Sequence, residues 1–509
     1  MYVDNRKALS INLVASFITL GVNACINLLV MPYIVNRVGS EAYGFVSLAN
    51  NTVNYATVIT IALNSVSSRF IALAIHRNQK KIANEYFNSV FWADVTICII
   101  ILILGIFFAV FMDVFLNVPL HLVVQVRYLF IWLVLNFVIS VIGTIFTIGT
   151  YITNKLYMSS IINTISILIK AGLMLLLFGI FPISIAYVGT ASFIYSFVIM
   201  IANGVLTRKL VPELRLSIQA FSLTKTKEML GSGIWSSITK LSSILSDGLD
   251  TIITNIFLSG AALGALSVAY TIPSLASTLV SSICALFNPQ LTFLYAKENP
   301  NGIIKELKIN MKLTGVFTSV LFCGIVTFGK VFYTLMVPNE NIILIYQLTC
   351  LSCISMVVSG VTSGLTNVFV LTNKLKVNSL VWLIVSFFDI ILVLILIKET
   401  TLGVYAVAGV SKIVGAVINL TYLPIYASKC LKVKPLVFYP LIFRYMIVLG
   451  ISLIAFIGIY NVLPAIYSWT QFISEAIICT FVGGAINFLL MLNKNERKYF
   501  INQINVIRG

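Results

Sequence analysis

Residues 89–111 read SVFWADVTICIIILILGIFFAVF, a run with one acidic residue, Asp94, and no basic one. At 1.5 Å of rise per residue a helix of this length crosses a hydrocarbon core about 30 Å thick. Segments of the same kind recur about fourteen times, over residues 9–35, 43–71, 89–111, 122–148, 160–181, 184–206, 230–258, 265–293, 313–337, 343–371, 377–397, 402–426, 437–460 and 469–492. The expectation is an all-α polytopic membrane protein of about 14 transmembrane helices. Composition agrees: 59% of residues are hydrophobic, 10% are charged, and mean hydropathy is +1.03. The first apolar run is too long for the core of a signal peptide and lacks a small-residue cleavage site, so it reads as a retained helix.

Charge placement orients the chain. With Arg6 and Lys7 in the cytoplasm, alternate loops carry Arg77, Lys80, Lys81, Lys155, Arg208, Lys209, Arg215, Lys225, Lys227, Lys297, Lys305, Lys308, Lys312, Lys374, Lys376, Lys429, Lys432 and Lys434. The tail adds Lys494, Arg497, Lys498 and Arg508, making 24 of the 33 basic residues. The opposite side holds Arg37, Arg127, Lys330 and Lys398. The positive-inside rule then places both termini in the cytoplasm. The formal net charge of +17 is carried by short loops beside apolar spans, which points to anionic lipid headgroups as partner and not to nucleic acid.

Several chemistries find no support. Seven of the eight cysteines fall inside apolar spans, where a thiol is a small packing residue. Cys350 and Cys353 form a CxxC with no second pair beside it, and His76 and His121 fall at opposite membrane faces, so no metal set forms. No catalytic constellation and no phosphate-cradling GxxxxGK[ST] is present, so the chain reads as neither an enzyme nor a self-contained ATP motor, and it implies no cofactor. A transporter or channel remains.

An internal repeat favours a transporter. Ala42, Gly44, Ser47 and Ala49 in the first external turn match Ala262, Gly264, Ser267 and Ala269 at a constant offset of 220 residues. Six spans separate the copies, so two lobes of like orientation are expected, related by an axis along the membrane normal. The division reads as an N-terminal lobe with cytoplasmic linker over 1–229, a second lobe over 230–434, and an extra helical pair with a basic tail over 435–509.

Charged residues that fall inside the spans include Arg69, Lys170, Lys240, Lys412, Arg444, Asp94, Asp247, Asp250, Asp389 and Glu475. Each costs roughly 2.5–3.5 kcal/mol at a helix centre, so these side chains should face water or one another. In a straight helix Lys240 and Asp247 share a face, with Asp250 one turn further. Pro32, Pro273 and Pro424 interrupt spans and are candidate bending points.

The run Leu28-Leu-Val-Met-Pro32-Tyr-Ile-Val-Asn-Arg-Val-Gly39-Ser-Glu-Ala-Tyr-Gly44, followed by Ser68-Arg69-Phe70-Ile71-Ala72, resembles the N-terminal signature of polysaccharide flippases in the multidrug/oligosaccharidyl-lipid/polysaccharide exporter superfamily. Ser246-Asp247-Gly-Leu-Asp250 leading to Ile256-Phe-Leu-Ser-Gly260, and Asn288-Pro289-Gln-Leu-Thr-Phe-Leu-Tyr295-Ala296, look like the second-lobe counterparts. The resemblance implies two six-helix lobes that flip an undecaprenyl-pyrophosphate-linked oligosaccharide across the bacterial plasma membrane by alternating access. Drug exporters of the superfamily usually stop at twelve spans; the extra pair is more like long polysaccharide flippases and the lipid II flippase. On this reading Arg69, Lys170, Lys240 and Lys412 bind the pyrophosphate, Asp247 and Asp250 bind a coupling proton or sodium ion, and a polysaccharide polymerase acts downstream. The competing structural reading has Lys170, Lys240 and Lys412 neutralising Asp247, Asp250 and Asp389. A cation-coupled multidrug exporter, which calls for an acid-dominated cavity, and a non-transporting scaffold for glycan assembly are the alternative functions.

Overall fold

The computed structural model describes residues 2–285, 287–372, 374–493 and 497; the side chains of residues 2–10, 13, 17, 76, 247, 289, 293 and 296 lie outside that description. The tail residues Lys494, Lys498 and Arg508 fall outside it too. Among the described residues helix is the only extended regular structure. In hydrocarbon a segment has no water to satisfy its backbone, and a helix satisfies it internally.

The first half runs α1 (Tyr2–Val38), α2 (Ser40–Asn54), α3 (Thr57–His76), α4 (Lys80–Val110), α5 (Val123–Thr144), α6 (Leu156–Ile180) and α7 (Ala186–Leu210). Next come α8 (Leu223–Ser243), a π turn (Ile244–Gly248), α9 (Leu249–Phe257), α10 (Gly260–Ala269), α11 (Thr271–Ala285) and α12 (Asn288–Ala296). The remainder is α13 (Pro300–Met336), α14 (Ile342–Ser352), α15 (Ile354–Thr362), α16 (Leu375–Glu399), α17 (Val404–Leu420), α18 (Tyr422–Cys430), α19 (Tyr439–Val462) and α20 (Trp469–Met491).

Thirteen stretches among the described residues are long and apolar enough to cross a membrane. The expected seventh span, 230–258, is not among them, because α8 carries Ser, Thr and Lys side chains and the π turn cuts it short of α9. The π turn also breaks the straight-helix register that put Lys240, Asp247 and Asp250 on one face, since each π turn takes up an extra residue. Proline placement follows local sterics as well. Pro273 and Pro424 occupy the first turns of α11 and α18, after breaks at Tyr270 and Thr421, where a missing N–H leaves no hydrogen bond unmade. Pro32 alone sits within a long helix, α1.

Two compact units result, one of Met1–Ser267 with Ser379–Ile390 and one of Val268–Asn378 with Ile391–Gly509. In the first, Phe45, Leu48, Phe130, Leu133 and Phe178 form one buried cluster and Leu63, Phe87, Val90 and Met229 another. The repeated motif explains a close approach there. A Cβ on Gly44 would lie 2.9 Å from the Gly264 nitrogen, and one on Gly264 would lie 2.5 Å from the Ser40 carbonyl carbon. The two copies of the motif therefore pack on each other through their glycines, the self-complementary contact that two like elements make when they face one another. Asn117 and Asn255 clasp reciprocally, the Asn117 backbone N–H donating to Asn255 Oδ1 (3.0 Å) and Asn255 Nδ2 to the Asn117 carbonyl (3.1 Å). Hydroxyls join α8 and the π turn to the first half of α16: Thr239 meets Ser379 at 2.7 Å and Ser246 meets Ser386 at 2.6 Å. Small polar residues of this kind hold membrane helices together where no hydrophobic force can.

In the second unit, Leu307, Met311, Leu365, Phe369 and Tyr445 are fully buried together. The terminal hairpin of α19 and α20 is built into it. Asn487 Nδ2 reaches Ser319 Oγ (3.3 Å), Ser452 Oγ (3.0 Å) and the Gly483 carbonyl (2.9 Å), and the hydroxyls of Tyr445 and Thr318 are 3.2 Å apart. Phe328 lies edge-on to both Tyr460 and Phe472.

Candidate functional site

Lys170 is half-buried on α6, a helix otherwise apolar on most positions. Its Nζ stands 5.6 Å from the centre of the Tyr195 ring on α7. The Tyr195 hydroxyl donates to Asn163 Oδ1, also on α6, at 3.5 Å. An ammonium has three N–H donors and an aromatic face takes up at most one of them, so an anionic partner can still be bound. The second unit contains the same pairing: Lys412 on α17 is half-buried, with Nζ 5.5 Å from the centre of the Tyr270 ring. Tyr270 sits in the break between α10 and α11.

Arg69 and Lys240 lie on helices that touch. The Ser237 hydroxyl donates to the Val58 carbonyl (2.7 Å), and a Cβ on Gly233 would overlap the Ala62 carbonyl. In this antiparallel register Arg69 is level with Thr226 and Lys240 with Tyr55, which places them about 20 Å apart along the pair. Arg69 is exposed, near the end of α3, and Lys240 is half-buried beside the Thr239–Ser379 contact. The first unit therefore does not bring these two cations together.

Asp250 is 3% exposed at the start of α9. The end of α2 fastens onto this stretch, with the Tyr55 hydroxyl donating to the Gly248 carbonyl at 2.6 Å and Asn51 Nδ2 to Thr251 Oγ1 at 3.3 Å. The side chain of Asp247 lies outside the described residues. Asp389, on the stretch of α16 that joins the first unit, is 3% exposed.

Arg444 has a different task. Its Nε donates to the Leu490 carbonyl at 2.7 Å and its guanidinium reaches Asn493 Oδ1 at 3.4 Å, so it caps the C-terminal end of α20, where unpaired carbonyls and the helix dipole favour a cation. Lys80–Glu213 (2.9 Å), Arg127–Asp113 (3.4 Å) and Lys225–Glu228 (3.3 Å) pair near helix ends. Lys80 draws the Glu213 carboxyl below its ordinary range through their hydrogen bond. An apolar groove of about 470 Å³ runs between α1 and α6, lined by Ile11, Val14, Ile18, Ile161 and Ile165 with Thr19 and Thr164.

Residues 11–291, more than half of the chain, match the family model described as polysaccharide biosynthesis protein. The chain belongs to that family. Over 508 residues it is 25% identical to the uncharacterized membrane protein EpsK of Bacillus subtilis (strain 168), covering 98% of this chain and 99% of that one. In fold this polysaccharide biosynthesis protein is similar to the lipid II flippase MurJ in an inward closed conformation, with a TM-score of 0.65 at 14% identity over 93% of this chain and 98% of that one. An inward-facing multidrug resistance MATE family transporter gives 0.62 at 15% identity over 83% and 99%. A Pyrococcus furiosus transporter of the MOP superfamily, described as having a binding pocket of reversed polarity, gives 0.57 at 17% over 84% and 97%. The flippase family read from Pro32, Gly39, Gly44 and Ser68–Ala72 is thus the right one, and the protein is a multi-pass membrane protein with the fold of MOP-superfamily transporters. Tyr195 and Tyr270 escaped the sequence reading, because nothing in a linear sequence distinguishes a ring beneath a lysine from the many aromatic residues of a membrane protein.

Proposed function

We propose that this protein flips an undecaprenyl-pyrophosphate-linked oligosaccharide across the bacterial plasma membrane by alternating access, for export of a cell-surface polysaccharide. Family membership supports the pathway. The observation that carries the cargo assignment is the pair of half-buried lysines, Lys170 and Lys412, each over a tyrosine ring. A pyrophosphate brings about two negative charges into a region of low dielectric, where pairing with a cation is strong. The tyrosine faces lower the cost of holding the ammonium groups there before cargo arrives. In this mechanism Lys170 and Lys412 bind the pyrophosphate, Lys240 adds positive potential, and Arg69 meets the headgroup at the membrane boundary. Asp247 and Asp250 bind the coupling cation beside the π turn. The functional bodies are the lobes 1–229 and 230–434, with 435–509 as the added pair and both termini cytoplasmic.

Depletion in the native host, followed by analysis of undecaprenyl-linked intermediates, tests the assignment. Accumulation of one such intermediate on the cytoplasmic side is the expected result. Unchanged intermediates would remove lipid-linked glycan as the cargo.

A further inference from the structure

Asp94 is 1% exposed in the middle of α4, inside the stretch quoted at the outset. Its Oδ1 accepts from Asn64 Nδ2 on α3 at 3.3 Å, and that amide also donates to the Thr60 carbonyl at 3.1 Å. The remaining two oxygens of the pair, Asp94 Oδ2 and Asn64 Oδ1, are both buried, and among the described residues neither has a hydrogen-bond partner. Both are acceptors when Asp94 is ionised. A bare carboxylate and a bare amide oxygen in one apolar site are costly, and a single added donor answers the need of both.

No described cation supplies that donor. On the side of α5, Phe137, Val138, Val141 and Ile142 pack in one apolar cluster with Cys98 and Ile101, the residues one and two turns along α4 from Asp94, and Arg127 at the far end of α5 is held by Asp113. On α8 the residues level with Asn64 are Gly231 to Gly233, while Lys225 and Glu228 pair beside Tyr86 two turns away, Lys227 lies at the same end, and Lys240 lies towards the other. On α3 the next basic residue, Arg69, is exposed. On α4 itself Cys98 is one turn along and directs its thiol to the Val138 carbonyl at 3.9 Å.

We infer that Asp94 and Asn64 form a proton-binding site, in which a carboxylic acid O–H at Oδ2 and the Asn64 amide oxygen complete a two-way acid–amide pair. A proton fits better than a metal cation. A proton needs only these two oxygens, and it leaves the existing bond from Asn64 Nδ2 to Asp94 Oδ1 in place. Any use of this proton to drive transport rests on the function proposed above, but its binding does not depend on the cargo.

The test is infrared difference spectroscopy on the full-length protein in lipid nanodiscs, without cargo. Wild type minus Asp94→Asn should show a carboxylic-acid C=O band at neutral pH that shifts in heavy water, and Asn64→Leu should move that band. Asp94→Glu keeps a titratable group and should keep an acid band, which guards against a folding defect in the Asn variant. A difference spectrum with carboxylate bands alone at neutral pH would overturn the inference. Loss of the acid band on adding sodium chloride, but not choline chloride, at fixed pH would overturn it in favour of a sodium site. Failure of the host depletion test would leave this result standing, so the two readings fail separately.

Discussion

Lys170 and Arg444 are both basic residues inside apolar helices, yet their surroundings differ in kind. Arg444 spends its guanidinium on the Leu490 carbonyl and Asn493, neighbours in its own hairpin. Lys170 is set over the Tyr195 ring, which attracts the charge without taking up all three of its donors. One cation is used by the fold; the other is the one proposed to bind the cargo. Intramembrane charge by itself therefore does not mark a site.

The largest expected effect is at the uncommitted cation. Lys170→Ala should lower export of lipid-linked glycan at least about tenfold, the equivalent of roughly 1.4 kcal/mol of lost binding, at normal membrane abundance. Tyr195→Phe should retain most activity because the ring face is kept, whereas Tyr195→Leu should approach the lysine variant. The measurement is export set against protein level; a fall in abundance that Asp389→Asn rescues would return Lys170 to a structural role. Arg444→Ala should do the reverse, sparing transport per molecule while removing a charged hydrogen bond of about 1.5–3 kcal/mol, seen as a lower melting temperature in detergent. Equal melting temperatures would dissolve the contrast between the two residues.

The smallest effect is expected where a cation is paired in water. Lys80 and Glu213 have side chains 63% and 34% exposed, so Lys80→Ala should cost under about 1 kcal/mol. Because Glu213 is drawn below its ordinary range, the pair's contribution is present above the usual glutamate range and disappears as pH falls through the lowered folded-state value. Wild type and variant should therefore converge in melting temperature in acid. A gap that persists there would mean Lys80 acts through something other than Glu213.

Much of this protein was legible in the linear chain. Apolar runs such as 89–111 set the helices, since hydrocarbon accepts few alternatives, and the glycines of the repeat, Gly44 and Gly264, proved to be a packing contact. The seventh span was legible as a helix but not as a broken one, because a π turn inserts a residue without any required side-chain type. The division of labour among charged residues was not legible. Lys170 and Tyr195, Arg444 and Leu490, and Asn64 and Asp94 are separated by 25 to 46 residues, and their meeting depends on how helices rotate and slide against each other. Hydropathy is a property of each segment alone and fixed the membrane-spanning helices. Which polar atom finds a partner is a property of two segments at once, so only tertiary packing decided it.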